Sequence, residues 1–380
     1  MSIVVVGAGL AGATAVTELR DKGYGGDIVL IGAEAHFPYE RPPMSKGFLM
    51  GSQKFDEALV RDQSWYEDEN VDVRLGTRAT RIDLERKVVH TEPVSGDGPS
   101  VEVPYEQLLL ATGAKARVLD MGEDVGPIRT LRTVDDSIAL RRFLKPDAHV
   151  AIIGGGWIGL EVASAARQAG ARVTVFEAGE LPLLRVLGTE VATVFADLHR
   201  GKGVDLRLNA HVSPDDLSGA DVIVGAIGVI PEVSLAEEAG LAVDNGVLVD
   251  ASLRTSDASV YAVGDIANQE HPILARRIRV EHWDNAIEQA KVAAHNMLGG
   301  HEQYDRQPYF FTDQYELGME YVGNPGPEGY DRVDIEGPTN VLDGDAFRAF
   351  WVRNGTVVAA MHANDWDASD VIRDSIGTAR

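Results

Sequence analysis

The sequence contains no cysteine. This absence excludes disulfide frameworks, thiolate metal sites, protein-bound iron–sulfur clusters and every mechanism that uses a thiol. Positive charge is also scarce, since 35 Lys and Arg residues stand against 59 Asp and Glu residues. The resulting net charge of −24 repels nucleic acid and anionic lipid, so neither is expected as a partner.

Long apolar runs are missing as well. No stretch of the 380 residues approaches the length of a transmembrane helix. Residues 1–6 lack the basic region, the apolar length and the cleavage site of a signal peptide. We therefore expect a cytoplasmic protein, long enough for two or three domains.

A glycine-rich unit opens the chain. Residues 3–34 read as strand, turn, helix and strand, with the pattern G-x-G-x-x-G at Gly7, Gly9 and Gly12. The first glycine permits a tight turn, the second lets a pyrophosphate approach the backbone, and the third lets the helix pack on the strand. Glu34 follows near the spacing at which a carboxylate accepts hydrogen bonds from ribose hydroxyls. The unit predicts a dinucleotide site.

The same unit recurs at residues 149–180. Gly154, Gly156 and Gly159 follow an apolar strand and open an amphipathic helix, and Glu177 lies at the end of the next strand. One such motif alone is weak evidence for a nucleotide site. Two motifs, each in the strand–turn–helix–strand context, predict that the chain binds two dinucleotides.

Glu177 also indicates which nicotinamide cofactor is used. A carboxylate there accepts hydrogen bonds from a free 2′-hydroxyl and repels a 2′-phosphate, for which an arginine would be expected. Residues 178–180 are Ala-Gly-Glu, and the only cation close by, Arg185, lies further along the chain. NADH is therefore favoured over NADPH.

Two more apolar strands end in the segments Ala111-Thr112-Gly113 and Gly264-Asp265. Either alone is explained by an ordinary exit from strand to loop. A carboxylate beside a glycine turn, such as Asp265, is also suited to accept a hydrogen bond from a ribityl hydroxyl of a flavin. Residues 284–298 predict a helix with Asp284 or Asn285 as N-cap.

Lys46 follows a rigid segment. Pro42 and Pro43 lack backbone donors and have a fixed φ, so we expect the chain to be extended there. For a lone lysine in such a segment, a surface loop is the simplest interpretation.

After residue 305, turn signals separate short segments, including residues 340–344, which predict an antiparallel sheet and then a terminal helix or turn.

A family resemblance joins these features. The segments that carry it are GAGLAG, PYERPPMSK, LLATGA, LRTVDD, GGGWIGLE, GAIGVIPE, VEHWDNAIEQA and YFFTDQYELG. In this order they resemble the NADH-dependent, FAD-containing ferredoxin reductases of Rieske-type oxygenase and cytochrome P450 systems, a group that includes putidaredoxin and rubredoxin reductases. The resemblance implies an α/β fold with two Rossmann-like FAD/NAD(P)-binding domains, as in glutathione reductase, and a C-terminal α+β domain. The implied boundaries are 1–108 with 229–305 for FAD, 109–228 for NAD, and 306–380 for the C-terminal domain.

The resemblance also implies residue roles. Lys46 and Glu161 form the implied catalytic pair, which orders the stacked rings and supports the charge on reduced flavin. Ala11 and Arg132 are implied at the FAD pyrophosphate, and Trp283 at the flavin ring. The full set implied for FAD is Gly7, Gly9, Ala11, Gly12, Glu34, Arg41, Pro43, Lys46, Ala79, Ala111, Thr112, Gly113, Arg132, Gly264, Asp265, Glu281, His282 and Trp283. The set implied for NAD is Gly154, Gly156, Ile158, Gly159, Glu177, Arg185 and Gly228.

The implied activity is hydride transfer from NADH to FAD, followed by export of single electrons. Without cysteine, the electrons must pass to an external acceptor, and a [2Fe–2S] ferredoxin or rubredoxin is the acceptor that the resemblance implies. An acidic carrier would need a local basic surface, for which Arg276, Arg277 and Arg279 are candidates, although scattered solvated arginines explain them equally well. An NADH oxidase or quinone-type reductase remains an alternative, as does an apoptosis-inducing-factor-like flavoprotein. No metal site is predicted, and both a monomer and a homodimer are compatible with the sequence.

Overall fold

The computed structural model describes residues 2–122 and 125–380. In chain order, its strands are β1 (Ser2–Val6), β2 (Asp27–Ile31), β3 (Val71–Arg74), β4 (Thr77–Asp83), β5 (Val88–Pro93), β6 (Val101–Pro104), β7 (Gln107–Leu110), β8 (Ala114–Ala116), β9 (Ile128–Arg129), β10 (His149–Ile153), β11 (Arg172–Phe176), β12 (Asp205–Arg207), β13 (Val222–Gly225), β14 (Val229–Pro231), β15 (Val247–Val249), β16 (Val260–Ala262), β17 (Ala267–His271), β18 (Arg276–Ile278), β19 (Tyr309–Gln314), β20 (Leu317–Gly323), β21 (Arg332–Glu336), β22 (Phe347–Arg353) and β23 (Thr356–Ala363).

The helices are α1 (Leu10–Asp21), α2 (Gly47–Met50), α3 (Gln63–Asp68), α4 (Val134–Arg141), α5 (Trp157–Gln168), α6 (Leu184–Gly201), α7 (Ser234–Glu238), α8 (Trp283–Met297) and α9 (Ser369–Ser375). Helix α6 is interrupted by non-helical backbone at Gly188. Among the described residues, no helix has both the length and the apolar character that a membrane crossing requires.

The chain divides into two compact units. The first unit contains Met1–Arg41, Phe55–Lys115 and Ile230–Arg306. Its main sheet has the strand order β16-β7-β1-β2-β3, and all of its pairs are parallel. Because β1 lies at the centre of this parallel sheet, its side chains from Ile3 to Val6 are buried and apolar.

The second unit contains Pro42–Lys54, Ala116–Val229 and Gln307–Arg380. It has a parallel sheet of order β12-β11-β10-β13-β9 and an antiparallel sheet of order β19-β20-β23-β22-β21. One apolar core joins α6 to the antiparallel sheet, and the indole of Trp351 donates a 3.1 Å hydrogen bond to the carbonyl of Leu187. The C-terminal strands therefore share a core with the unit that holds the second glycine motif, and the three-domain division stays a prediction.

Both glycine units have the predicted order of strand, turn, helix and strand. Three local predictions were wrong. Pro42–Ser45 forms a 3₁₀ turn rather than an extended segment, since proline is tolerated in the first turn of a helix. Residues 340–344 include a 3₁₀ turn instead of a strand. Helix α8 begins at Trp283, and its N-cap is His282, whose side chain accepts a hydrogen bond from the Asp284 amide.

A buried histidine links α6 to β19. His199 has no solvent exposure, and its Nε2 lies 2.8 Å from Oε1 of Gln314. Burial lowers the pKa of His199 from 6.5 to about 4, although the hydrogen bond to Gln314 acts in the opposite direction. The histidine is therefore neutral in the folded protein, and the unfolded chain binds a proton more readily at this position.

We expect the folded state to lose stability as the pH falls from 6.5 towards 4. The pKa of His199 is lower in the folded state, so its contribution is fully present above the unfolded value and is lost on acidification. Between about pH 7.5 and about pH 5 the free energy of unfolding should fall by about 2 kcal/mol from this residue. Urea titrations of the wild type and of His199→Gln measure the effect, and an equal pH dependence in both proteins would contradict it.

Candidate cofactor and active site

The first glycine turn follows the central strand of the first unit. At Gly7, with φ +115°, a Cβ atom would lie 2.1 Å from the carbonyl oxygen of Ala111. At Gly12 it would lie 2.0 Å from the carbonyl oxygen of Gly7, so both positions are closed to side chains. At Gly9, the N-cap of α1, it would meet nothing within 4 Å, and no side chain caps the helix there. The open helix N-terminus fits the phosphates of a dinucleotide, as FAD requires.

Four strand ends of the first unit share the edge that holds this turn. Because β16, β7, β1 and β2 are parallel, the residues after each strand emerge on the same side of the sheet. The segment Ala111–Gly113 follows β7, Glu34 follows β2, and Gly264 and Asp265 follow β16. The hydroxyl of Thr112 donates to the carbonyl of Glu232, so it has a structural role already.

Glu34 is held by the side chains of two residues that follow it within one short stretch of the sequence. Its Oε1 accepts a 2.9 Å hydrogen bond from Arg41, and its Oε2 accepts a 2.6 Å hydrogen bond from Tyr39. A carboxylate oxygen has two lone pairs, so each still has capacity for a ribose hydroxyl. Tyr39 was not predicted, although its place in the PYERPP segment was a signal for it.

The N-terminus of α8 brings together three further candidates. Arg279 forms a 2.6 Å ion pair with Glu281 and donates to the backbone carbonyl of Asp265. His282 caps the helix, and Trp283 is its first residue. Partial burial raises the pKa of Glu40, an effect that its hydrogen bond with Trp283 opposes.

The remaining FAD candidates are more dispersed. Ala79 is on β4, paired with Thr91 beside a bulge. Pro43, Lys46 and Arg132 belong to the second unit, where Arg132 follows β9 and its amide donates to Asp136. Binding of FAD by these residues stays a prediction.

The second glycine turn repeats the geometry of the first. Gly154 has φ +108°, and a Cβ at Gly159 would lie 2.1 Å from the Gly154 carbonyl oxygen. Gly156 caps α5 without a side-chain hydrogen bond, and a Cβ atom there would meet nothing within 4 Å. This open helix N-terminus also fits a dinucleotide phosphate.

The carboxylate of Glu177 lies directly against this turn. Its two oxygens accept 2.7 Å hydrogen bonds from the amides of Gly155 and Gly179. The charge is therefore fixed at the end of β11, where it would repel a 2′-phosphate.

The other NAD candidates lie around the same edge or on the surface of α6. Ile158, in the first turn of α5, is 43% exposed although it is apolar. Gly228 follows β13 and has φ +92°. Arg185 is exposed at the start of α6, and its binding of NADH stays a prediction.

Lys46 and Glu161 form an ion pair in the second unit. The ammonium of Lys46 lies 2.8 Å from Oε1 of Glu161, and their side chains are 17% and 4% exposed. Two hydroxyls complete the shell of the carboxylate: Ser45 donates to Oε2 and Thr312 donates to Oε1 at 2.6 Å. Neither hydroxyl was predicted. Ser45 adjoins Lys46 in the sequence, but no local signal connects Thr312 to Glu161.

The 3₁₀ turn before Lys46 is fixed from α4. The hydroxyl of Ser137 donates a 2.8 Å hydrogen bond to the carbonyl of Met44, and Arg141 donates to the carbonyls of Phe48 and Leu49. These contacts hold the segment on both sides of Lys46. The lysine is therefore part of a rigid structure and not of a loose surface loop.

A second carboxylate lies near the pair. The pKa of Asp313 is raised, chiefly by partial burial. The positive charge of Lys46 acts against this shift, and the negative charge of Glu161 adds to it. The ammonium of Lys46 also lies 5.4 Å from the ring centroid of Phe311.

Over residues 2–122 and 125–380, no group of three His, Asp or Glu side chains is arranged to hold a metal ion.

The predicted docking arginines do not form one exposed cluster. Arg277 donates to two backbone carbonyls, at 3.1 and 2.9 Å. Arg279 is only 11% exposed and is paired with Glu281. Arg276 is half-buried at the start of β18. Arg277 and Arg279 bind partners within the first unit, so the charge of these two guanidinium groups is largely matched there.

Comparison with known proteins identifies the family. The family model for pyridine nucleotide-disulphide oxidoreductases matches residues 1–290. The chain belongs to this family. The two-dinucleotide fold predicted from the glycine units is thereby confirmed, although the name of the family refers to a disulphide that a chain without cysteine does not contain.

Individual relatives of this oxidoreductase are ferredoxin and rubredoxin reductases. The ferredoxin–NAD(+) reductase component of the anthranilate 1,2-dioxygenase system of Burkholderia cepacia is 38% identical, over 95% of this chain and 90% of its own. Rubredoxin–NAD(+) reductase of Pseudomonas putida is 39% identical, over 88% and 89%. The crystal structure of the covalent putidaredoxin reductase–putidaredoxin complex covers 100% of this chain and 94% of its own, with a TM-score of 0.90 and 33% identity. The resemblance and the fold class inferred from the sequence are confirmed.

We expect Gly9→Ala to weaken FAD binding by about tenfold, because the added methyl occupies the space into which the phosphates must fit. The apo-protein should lose less than about 1 kcal/mol, since no protein atom lies near that methyl. Fluorescence titration of apo-protein with FAD and thermal melting measure the two effects. Gly25→Ala, at another open glycine, is the matched control. Unchanged FAD affinity in Gly9→Ala would contradict the assignment.

We expect Glu177→Ala to raise the ratio of kcat/KM for NADPH over NADH by about tenfold or more. The substitution removes a negative charge and releases two amides that could bind a 2′-phosphate. Steady-state kinetics with ferricyanide as acceptor give the ratio. Glu180→Ala removes the same charge from the exposed neighbouring loop and should leave the ratio within about twofold of the wild type. A similar ratio in both variants would show that Glu177 does not read the ribose.

Proposed function

We propose that this chain is an NADH-dependent ferredoxin reductase. NADH binds at the second glycine turn and FAD at the first, and electrons pass singly to a [2Fe–2S] ferredoxin or a rubredoxin that feeds an oxygenase or a cytochrome P450. One combination carries the proposal: two open dinucleotide edges occur in a chain with no cysteine. Without a thiol to receive them, the electrons leave to an acceptor outside the chain.

The names of the relatives support the same acceptor class. They are reductases of ferredoxin or rubredoxin, and the matched crystal structure contains putidaredoxin. When bound, FAD supplies the chemistry that connects a two-electron hydride donor to a one-electron acceptor. The protein supplies binding, orientation and charge.

In this function Lys46 and Glu161 act together. Glu161 orients the ammonium of Lys46, and the ammonium supports the negative charge that develops when a hydride is accepted. No side chain has to abstract a proton from a carbon atom, because the redox chemistry belongs to the cofactors. Glu177 selects NADH by repelling the phosphate of NADPH.

Docking of an acidic carrier to a protein of net charge −24 depends on local positive charge. Arg276, Arg277 and Arg279 remain the proposed docking residues, and the side chain of Arg277 is 38% exposed. We also infer a cytoplasmic location, because the reaction consumes the NADH that cytoplasmic metabolism supplies.

The decisive measurement is reduction of an acceptor by the NADH-reduced holoenzyme. We expect anaerobic stopped-flow mixing with a [2Fe–2S] ferredoxin encoded near this gene to oxidise the enzyme at a rate that supports turnover. Ferricyanide serves as the control for intact NADH oxidation, and dioxygen and a soluble quinone serve as competing acceptors. Rapid turnover with dioxygen or quinone, and none with any ferredoxin or rubredoxin, would contradict the proposal and favour an NADH oxidase or quinone reductase.

A further inference from the structure

A chain of buried polar side chains leads away from Glu161 into the second unit. Thr312 donates to Glu161, Nε2 of Gln314 donates to Oγ1 of Thr312 at 3.2 Å, and Oε1 of Gln314 lies 2.8 Å from Nε2 of His199. Thr312, Gln314 and His199 have no solvent exposure. Buried polar groups are costly unless they are matched, so a matched chain at this position calls for an explanation.

The carboxylate at one end sets the direction of every hydrogen bond. An ionised carboxylate only accepts, so the single hydroxyl proton of Thr312 points to Glu161. The oxygen of Thr312 then accepts from the amide nitrogen of Gln314, which turns the amide oxygen towards His199. Nε2 of His199 must therefore carry the proton, and Nδ1 is left as an acceptor.

The far end of the chain agrees with this direction. The hydroxyl of Tyr315 lies 3.4 Å from Nδ1 of His199 and can donate to it. Burial raises the pKa of Tyr315, so its hydroxyl stays protonated. Burial lowers the pKa of His199 to about 4, so the imidazole stays neutral and has one donor and one acceptor nitrogen. All of the donors therefore point towards Glu161.

We propose that Thr312, Gln314 and His199 are positioning residues for the reaction, acting through Glu161. The chain fixes the Glu161 carboxylate in the orientation that holds the ammonium of Lys46, and each donor polarises the next one towards the negative charge. None of the three needs to contact a cofactor. The proposal rests on the proposed function in one respect, the role of Lys46 and Glu161 in the reduction of FAD by NADH.

The first test measures reduction of the FAD holoenzyme by NADH in anaerobic stopped flow, without any electron acceptor. Thr312→Val keeps the shape of the side chain and removes the donor, so the limiting rate of reduction should fall about tenfold. The dissociation constant for NADH should change less than about twofold, because the substitution touches no nucleotide group. Thr312→Ser keeps a hydroxyl and should restore at least half of the wild-type rate.

Two further comparisons separate positioning from general damage. Thr174→Val removes a buried hydroxyl of the same unit that contacts His149, and it should leave the rate unchanged. In a Glu161→Gln background, Thr312→Val should have little further effect, because it acts through the missing carboxylate. A wild-type rate in Thr312→Val, or an equal fold-loss in both backgrounds, would overturn the proposal.

A spectroscopic test reads the wild-type protein directly and needs no turnover. The ¹⁵N shifts of the His199 ring, assigned by comparison with His199→Gln, should show a neutral imidazole protonated at Nε2 at neutral pH. Protonation at Nδ1, or an imidazolium, would overturn the direction of the chain. Both tests omit the acceptor, so their outcome differs from a failure of the ferredoxin experiment, which would leave the reduction step and the tautomer unaffected.

Discussion

A buried carboxylate determines how the second unit is assembled around its site. Removing an ion from water costs several kcal/mol unless charges and hydrogen bonds replace the lost solvent. Glu161, at 4% exposure, obtains them from Lys46, Ser45 and Thr312, which come from two distant segments of the chain. Because Glu161 is on the helix that the second glycine turn opens, the ion pair and the candidate nucleotide site share one helix.

The two units have the same kind of glycine turn, but each holds its candidate ribose-binding glutamate in a different way. In both, the glycine after the central strand has positive φ, and the capping glycine leaves the helix N-terminus open. Glu34, however, is held by the side chains of Arg41 and Tyr39, whereas Glu177 is held by two backbone amides of its own turn. The two edges therefore present their carboxylates differently, in agreement with two different nucleotides.

Charge in this protein acts locally. The net charge of −24 belongs to the chain as a whole, while several positively charged side chains pair with groups of their own unit. Arg277 and Arg279 bind carbonyls and Glu281, and Lys46 binds Glu161. Short charge pairs of this kind are screened little by salt, in contrast with the long-range repulsion between two acidic proteins. The ion pairs at the site therefore depend little on the net charge of the protein. Docking of an acidic partner does depend on it.

The sequence by itself determined both dinucleotide units, a candidate acid for each, the α/β class and the exclusion of thiol chemistry, because these depend on short spacings and on composition. The tertiary structure alone decided how Glu161 is held. Thr312, Gln314 and His199 are separated from it by long stretches of chain, so no local pattern links them. The tertiary structure also decided that the C-terminal strands share a core with α6. Apolar strands can pack on any complementary face, so their sequence alone does not predict which helix they contact.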